Sequence, residues 1–469
     1  MKIPFDNTYG DLPAQMFTRL RPTAVSDPSL IAFNAALADD LGITAGDDAQ
    51  IATVFSGNQV PDGADPLAQL YAGHQFGNWN PQLGDGRALL LGEVTDKNGT
   101  RRDIQLKGSG PTPYSRSGDG RAWLGPVLRE YLVSEAMHAL GVPTTRALAA
   151  VRTADTVIRE TLLPGAVLTR VASSHIRVGT FQIYAARGDK EALAALYDYT
   201  VARHYPDVTD PSGLLTAVLH RQAALVARWM GLGFIHGVMN TDNVSVAGET
   251  IDYGPCAFMD TYHPDTVFSA IDQYGRYAYS NQPGVAVWNL TQFATALIPL
   301  MPDQDEAIEN FTTIINTFSD VFDGARRDVF AAKLGLTDAT ADDNALIDDF
   351  LTLMARDGAD FTNSFAALAT DTLKDQFVDQ PALQAWETRW RSRLTDNSSA
   401  IMAKSNPLII PRNHHVEAVI AAGVAGDDAP FHAMLNAVTR PYAALTPETA
   451  PFAQPPAQGE AVTQTFCGT

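Results

Sequence analysis

An α+β fold in two lobes follows from three features of this 469-residue chain. Residues 68–187 are rich in alternating, strand-like runs, residues 188–300 contain a long apolar-faced helix followed by a polar loop, and the spacing from Asp303 onward is helical. With 45% hydrophobic residues the chain can bury the cores that two or more lobes need. The organisation reads as an N-terminal extension (1–67), a strand-rich N-lobe (68–187), a helical C-lobe core carrying the polar loop (188–300), a helical C-terminal region (301–446) and a flexible tail (447–469).

In the N-lobe, Gly84-Asp85-Gly86-Arg87 precedes the apolar run Ala88 to Leu91, and the turn Asp96-Lys97-Asn98-Gly99 follows. Glycine lets a backbone approach a phosphate closely, and Arg87 adds a forked donor. Ile104-Gln105-Leu106-Lys107 alternates like a strand, the setting of a phosphate-binding lysine after a Gly-rich hairpin. The tetrapeptide recurs as Gly118-Asp119-Gly120-Arg121 in a stretch too rich in Gly, Ser and Pro for helix or strand. Leu128 to Leu140 then reads as an amphipathic helix in which Glu130 can reach Lys107; Glu135 competes for that role, or else faces solvent. Val167 to Val171 is a further strand. Arg170 and Arg177 are either a clamp for a polyphosphate or two surface ion-pair residues.

In the C-lobe, Asp210-Pro211 has the cap and first-turn chemistry of a helix start. Leu215, Leu219, Val226 and Met230 share one face, with Leu214, Val218, Leu225 and Trp229 beside them, so a buried helix runs to Gly231. The loop that follows carries His236, Val238, Asp242 and Asn243, with Asp252-Tyr253-Gly254 after it. In protein kinases the corresponding order is His, any residue, Asp, four residues and a magnesium-holding Asn, then a second metal-binding Asp in an Asp-Phe-Gly turn. The spacing predicts a protein-kinase-like bilobal fold in which Asn243 and Asp252 are the metal ligands, Val238 stands where the base belongs, and Asp242 is the nearest acid left to accept a proton. Val244 to Val246 and Thr250-Ile251 read as a short hairpin around Gly248 that returns Asn243 and Asp252 to one end. Beyond Asp303, Ile308, Phe311, Ile315 and Phe318 are spaced for one helical face.

Composition excludes several classes. A formal charge of -20 argues against a nucleic-acid surface. No apolar run approaches the ~20 residues that span a bilayer, and the start, MKIPFDNTYGDLP, lacks the regions of a signal peptide; a cytoplasmic protein with no membrane partner is the expectation. Two cysteines exclude a disulfide framework, and no histidine spacing suits zinc.

YAGHQFGNWNPQLGDGR, IQLKGSGPTPYSRSGDGRA, REYLVSEAMHALGVPT, HGVMNTDNVSV and IDYGPCAFMD together resemble the selenoprotein O family, also called the YdiU family, of protein adenylyltransferases. The resemblance runs from NTYGDLP through NPLIIPRNHHVEAVIAA to the last residues. It implies a kinase-like fold that transfers AMP to Ser, Thr or Tyr hydroxyls of proteins, from an ATP held in a flipped orientation with Mg2+ or, alternatively, Mn2+. Carried onto matching positions, Lys107, Arg170 and Arg177 would bind the phosphates, and Gly84, Gly86, Arg87, Asp119 and Gly120 would line the nucleotide site. Glu130 would orient Lys107, Asn243 and Asp252 would hold the metal, and Asp242 would be the proton acceptor. Cys467 matches the position of a redox-active selenocysteine or cysteine, in a tail otherwise read as mobile, with Cys256 the only other thiol. Two further readings keep the fold: a phosphotransferase, and a non-catalytic nucleotide-binding pseudokinase motivated by Val238.

Overall fold

A computed structural model describes residues 1–370 and 372–466. Among the described residues its main sheet has eight strands: β1 (Phe17–Arg19), β2 (Ser29–Phe33), β3 (Leu67–Gln69), β4 (Ala88–Thr95), β5 (Arg101–Lys107), β6 (Ala122–Trp123), β7 (Arg146–Ile158) and β8 (Leu162–Ala172). Their order is β1-β3-β4-β5-β8-β7-β2, with β6 beside β8, and every pairing is antiparallel. Helices position the rest of the site: α1 (Leu124–Ala139), α2 (Val178–Arg187), α3 (Pro211–Gly231), α4 (Gln282–Leu297), α5 (Asn413–Val424) and α6 (Ala429–Val438). The architecture is mixed α/β, a sheet with many helices.

The alternation of β5 decides which groups meet. Ile104 and Leu106 enter an apolar layer with Leu37, Ile51 and Phe55 from the helices Ala35–Asp40 and Asp48–Phe55. Gln105 and Lys107 therefore face the other way. Arg170 of β8 lies in register with Gln105, which puts it on the same face as both. The residues before Leu67 thus supply two strands to the sheet and two helices to this layer.

Helix α1 is covered on both sides. Leu124, Leu128, Leu132 and Ala136 share an apolar cluster with Ala150 and Leu168 of the sheet and with Val416, Val419, Phe431 and Met434 of α5 and α6. Each fully buried Leu contributes about 1.5–3 kcal/mol. Arg129 adds polar ties: it donates to the Cys256 carbonyl at 3.3 Å and to Asn413 Oδ1 at 2.9 Å, and it pairs with Glu417.

Helix α3 starts as its sequence reads, with the Asp210 carboxylate accepting from Gly213 N at 2.8 Å and Pro211 in the first turn. All eight of its predicted apolar positions are buried. Gly233 turns the chain into Phe234–Ile235, which pairs with Ala257–Phe258 and closes the polar loop at its base. After Asp303 the helical run divides at Thr317 into Gln304–Asn316 and Phe318–Lys333. Phe311 and Phe318 are buried, whereas Ile308, within the first of these helices, is half exposed. No helix among the described residues is long and apolar enough to cross a membrane.

The tail, read as mobile, is held at Thr465, which is buried. Its N–H donates to Phe268 O at 2.7 Å, Ala270 N donates to its carbonyl at 3.0 Å, and its hydroxyl donates to Pro255 O at 2.5 Å. Cys467 lies outside the described residues.

Candidate active site

Between the sheet and the polar loop lies a cavity of about 1010 Å³. Gly84, Gly86, Arg87, Lys107, Asp119, Gly120, Arg170, Arg177, Asp242, Asn243 and Asp252 all line it. Glu130 stands just behind, its Oε2 2.6 Å from Lys107 Nζ. Residues from both Gly-Asp-Gly-Arg copies, two strands and the polar loop therefore converge on one space.

The centre of the cluster is Asp252, whose backbone is left-handed at φ 63°. Lys107 Nζ is 2.8 Å and Arg170 2.6 Å from its Oδ1, and Arg177 is 3.6 Å from its Oδ2. Burial opposes ionisation, but Arg170, Lys107 and Arg177 outweigh it and hold the carboxyl well below its usual range. Both arginines are only 2% exposed, so the surface ion-pair alternative does not hold for either. Glu135, the competitor of Glu130, is also buried rather than solvated. It takes both Arg146 nitrogens at 2.8 Å and hydrogen bonds from Asn34 and Ala147 N, which ties α1 to β7 instead of reaching Lys107.

The predicted hairpin at 244–251 does not form. Ser245 bridges to Arg177 and Thr250 to Thr144. Val178 N donates to Val244 O, Val246 N to Ile176 O, and Thr250 N to Pro143 O. Backbone partners from distant segments thus outcompete the local pairing. Asn243 and Asp252 still return to one cavity, because the Phe234–Ile235 and Ala257–Phe258 pair closes the loop and His236 Nε2 lies 2.9 Å from Ile251 O across it.

Asp242 and Val238 line the same cavity. Its Oδ2 accepts from Gln75 Nε2 at 3.1 Å, and its Oδ1 is buried with no hydrogen-bond partner among the described residues. Burial pushes its pKa up to about 6, against the lowering hydrogen bond from Gln75. Asn243 donates Nδ2 to the Val238 carbonyl at 3.0 Å, which leaves its amide oxygen as the free acceptor.

Four supporting residues escaped the sequence reading. Buried Asp85 accepts from Gln69 N at 3.1 Å and Gln105 Nε2 at 3.2 Å, and lies 3.7 Å from Arg177. Gln105 also accepts from Arg170 at 2.6 Å, and Tyr71 stacks its ring 4.4 Å from the Arg177 guanidinium. Gln75 is the fourth, as the partner of Asp242. Two left a signal: Gln105, two positions from Lys107 on a strand and hence on its face, and Asp85, inside the first Gly-Asp-Gly-Arg copy.

The family model described as protein adenylyltransferase SelO matches residues 1–439. The chain belongs to the SelO family of protein adenylyltransferases. A relative from Ruegeria sp. (strain TM1040), named protein nucleotidyltransferase YdiU, is 60% identical, with 100% of each chain covered. Relatives of the same name from Roseobacter denitrificans and Methylorubrum populi are 61% and 54% identical, with 99% of each chain covered. Family membership thus spans the sheet, the cavity and the polar loop alike.

Proposed function

We propose that this chain is a protein adenylyltransferase with a protein-kinase-like bilobal arrangement, moving AMP from ATP to a hydroxyl of a Ser, Thr or Tyr side chain on another protein. The observation that carries the reading is the pairing of Val238 with Asp242 in a cavity that also holds the Lys107–Glu130 pair. Valine cannot take a proton from an acceptor at the position a phosphotransferase uses, whereas Asp242, with a pKa of about 6, can take one nearby. Family membership supports the same chemistry.

In the proposed step the acceptor oxygen attacks the α-phosphorus, its proton passes to Asp242, and the bond from the α-phosphorus to the bridging oxygen breaks so that pyrophosphate leaves. Lys107, Arg170 and Arg177 neutralise the phosphates, and Glu130 and Asp85 hold two of these cations in place. The glycines of both tetrapeptide copies admit the nucleotide close to the backbone, with Arg87 and Asp119 on the walls. Asn243 and Asp252 offer an amide oxygen and a carboxylate, hard donors that suit Mg2+ or Mn2+, with phosphate oxygens and waters completing the set. Such an ion would neutralise the polyphosphate charge during transfer.

Incubation with ATP labelled at the α or the γ phosphate tests the reading. Protein-bound label is expected from the α position; label from γ alone would establish phosphotransfer instead. Asp252→Ala should lower transfer by roughly a hundredfold or more, since it removes the carboxylate that holds Lys107 and Arg170 in place and that would hold the metal ion.

A further inference from the structure

A second cavity, of about 760 Å³, opens beside the first and shares Phe76 and Ile271 with it. Its walls are Phe76 and Asn78 at the turn between Gly73–Gln75 and Asn78–Asn80, the loop from Ile271 to Arg276, and Asn281 with the first turns of α4. These walls are joined to the polar loop by hydrogen bonds. Gln75 donates to Asp242, Phe76 N donates to Asn240 Oδ1 at 2.9 Å, and Tyr277 donates its hydroxyl to the same oxygen at 2.6 Å. The groove therefore adjoins, through Phe76 and Ile271, the cavity that Asp242 lines.

Its loop wall is built around the buried carboxylate of Asp272, which accepts from Arg276 N at 2.9 Å and from Tyr277 N at 2.8 Å. That acid is committed to backbone. The Arg276 guanidinium lies 4.8 Å from the Trp288 ring and 5.7 Å from the Tyr277 ring, and it forms no ion pair with a carboxylate among the described residues. Its Nε is buried with no hydrogen-bond partner among them. In a chain with 53 acids and 33 bases, a cation without a counter-ion in a groove is available to an outside anion. Beside it in the lining, Tyr274 is 95% exposed and Ile271 59%, an exposed apolar rim. A small anion would leave that rim bare, whereas a polypeptide segment would cover it.

We propose that this groove receives the acceptor segment of the protein substrate, and that Arg276 selects an Asp or Glu close to the hydroxyl that is modified. The proposal rests on the adenylyl-transfer reading for its chemistry and on Arg276 for its specificity. The cation stacked on Trp288 recognises the carboxylate, while Ile271 and Tyr274 cover apolar side chains of the same segment.

The test measures fluorescence anisotropy of labelled peptides of one length on the full chain, each with a central tyrosine or serine and with Glu, Ala or Lys at the flanking positions. Wild type should bind the best Glu peptide on the order of tenfold more tightly than its Lys counterpart. Arg276→Lys should keep that preference and Arg276→Glu should reverse it, with ATP binding unchanged in both; Tyr274→Ala should weaken all the peptides alike. Equal binding of Glu and Lys peptides by wild type, or an unaltered preference in R276E, overturns the proposal. So does complete displacement of the Glu peptide by inorganic phosphate alone. The same peptides are then offered with α-labelled ATP. Arg276-dependent binding without label transfer would sink the adenylyl-transfer reading and leave the groove standing; transfer indifferent to peptide charge would do the opposite.

Discussion

Gly84-Asp85-Gly86-Arg87 and Gly118-Asp119-Gly120-Arg121 are the same tetrapeptide twice in the lining of one cavity, and the fold uses them in opposite ways. In the first copy the acid is the anchor: Asp85 is buried under Gln69, Gln105 and Arg177, and burial raises its pKa despite the arginine. In the second copy the acid is on the surface, its side chain 43% exposed and paired with Arg159 at 2.9 Å, and that hydrogen bond lowers its pKa. The arginines divide the other way. Both line the cavity, but Arg121 spends its guanidinium on the carbonyls of Thr23 and Ala24, while that of Arg87 has no hydrogen-bond or ion-pair partner among the described residues. Identical residues acquire different work from what the rest of the chain places against them.

The largest effect should separate the glycines. A Cβ on Gly120 would sit 2.2 Å from the Gly110 carbonyl carbon, and the residue has φ +67°, whereas one on Gly86 would meet the Tyr114 oxygen at 2.9 Å without a left-handed backbone. Gly120→Ala should therefore destabilise by about 3 kcal/mol or more and Gly86→Ala by clearly less, as read by denaturant unfolding. Equal losses would mean that the second copy yields as readily as the first.

The acids come next. Asp85→Ala strands the Gln69 N–H, Gln105 and part of the Arg177 charge, a cost of about 1–3 kcal/mol for a buried group. Asp119→Ala removes a partly exposed ion pair and should cost under about 1 kcal/mol. Asp85→Ala should also weaken ATP binding through Arg177; a variant that binds ATP as wild type does would detach Asp85 from the site.

The smallest and most diagnostic effect is a difference of sign with pH. Asp119, held below its ordinary value of 3.8, contributes stability above that value and loses it as pH falls towards the depressed pKa. Asp85, held above 3.8, favours folding below that value and loses this contribution as pH rises through its raised pKa. The stability gap between wild type and Asp119→Asn should accordingly widen as pH rises from the acid side, while the gap for Asp85→Asn narrows. Slopes of one sign in both variants would erase the contrast between the copies.

What could be read from sequence follows the reach of the forces involved. The alternation of β5, the Asp210 cap and the buried face of α3 depend on neighbours within four residues, and all three appear as read. The spacing of His236, Asn243 and Asp252 also sufficed to bring the two ligand candidates to one cavity with Lys107. It did not reveal how. The 244–251 segment finds backbone partners at 143–145 and 176–178, which nothing local announces. Likewise Glu135 looks like an ordinary exposed helix acid until Arg146 on the following strand closes over it. Asp85, Gln75 and Tyr71 matter through residues from 16 to more than a hundred positions away, as with Gln75 and Asp242 at a separation of 167.

Helix α1, held between the sheet and α5 and α6, bears on control. Protein kinases commonly switch off by rotating the glutamate-bearing helix outward, which separates its carboxylate from the catalytic lysine. Here Glu130 rides on a rod braced along both flanks and bolted through Arg129 to Asn413 and Glu417. Outward rotation of α1 would first require peeling away α5 and α6, so a molecule that wedged this helix open would have to displace that packing as well.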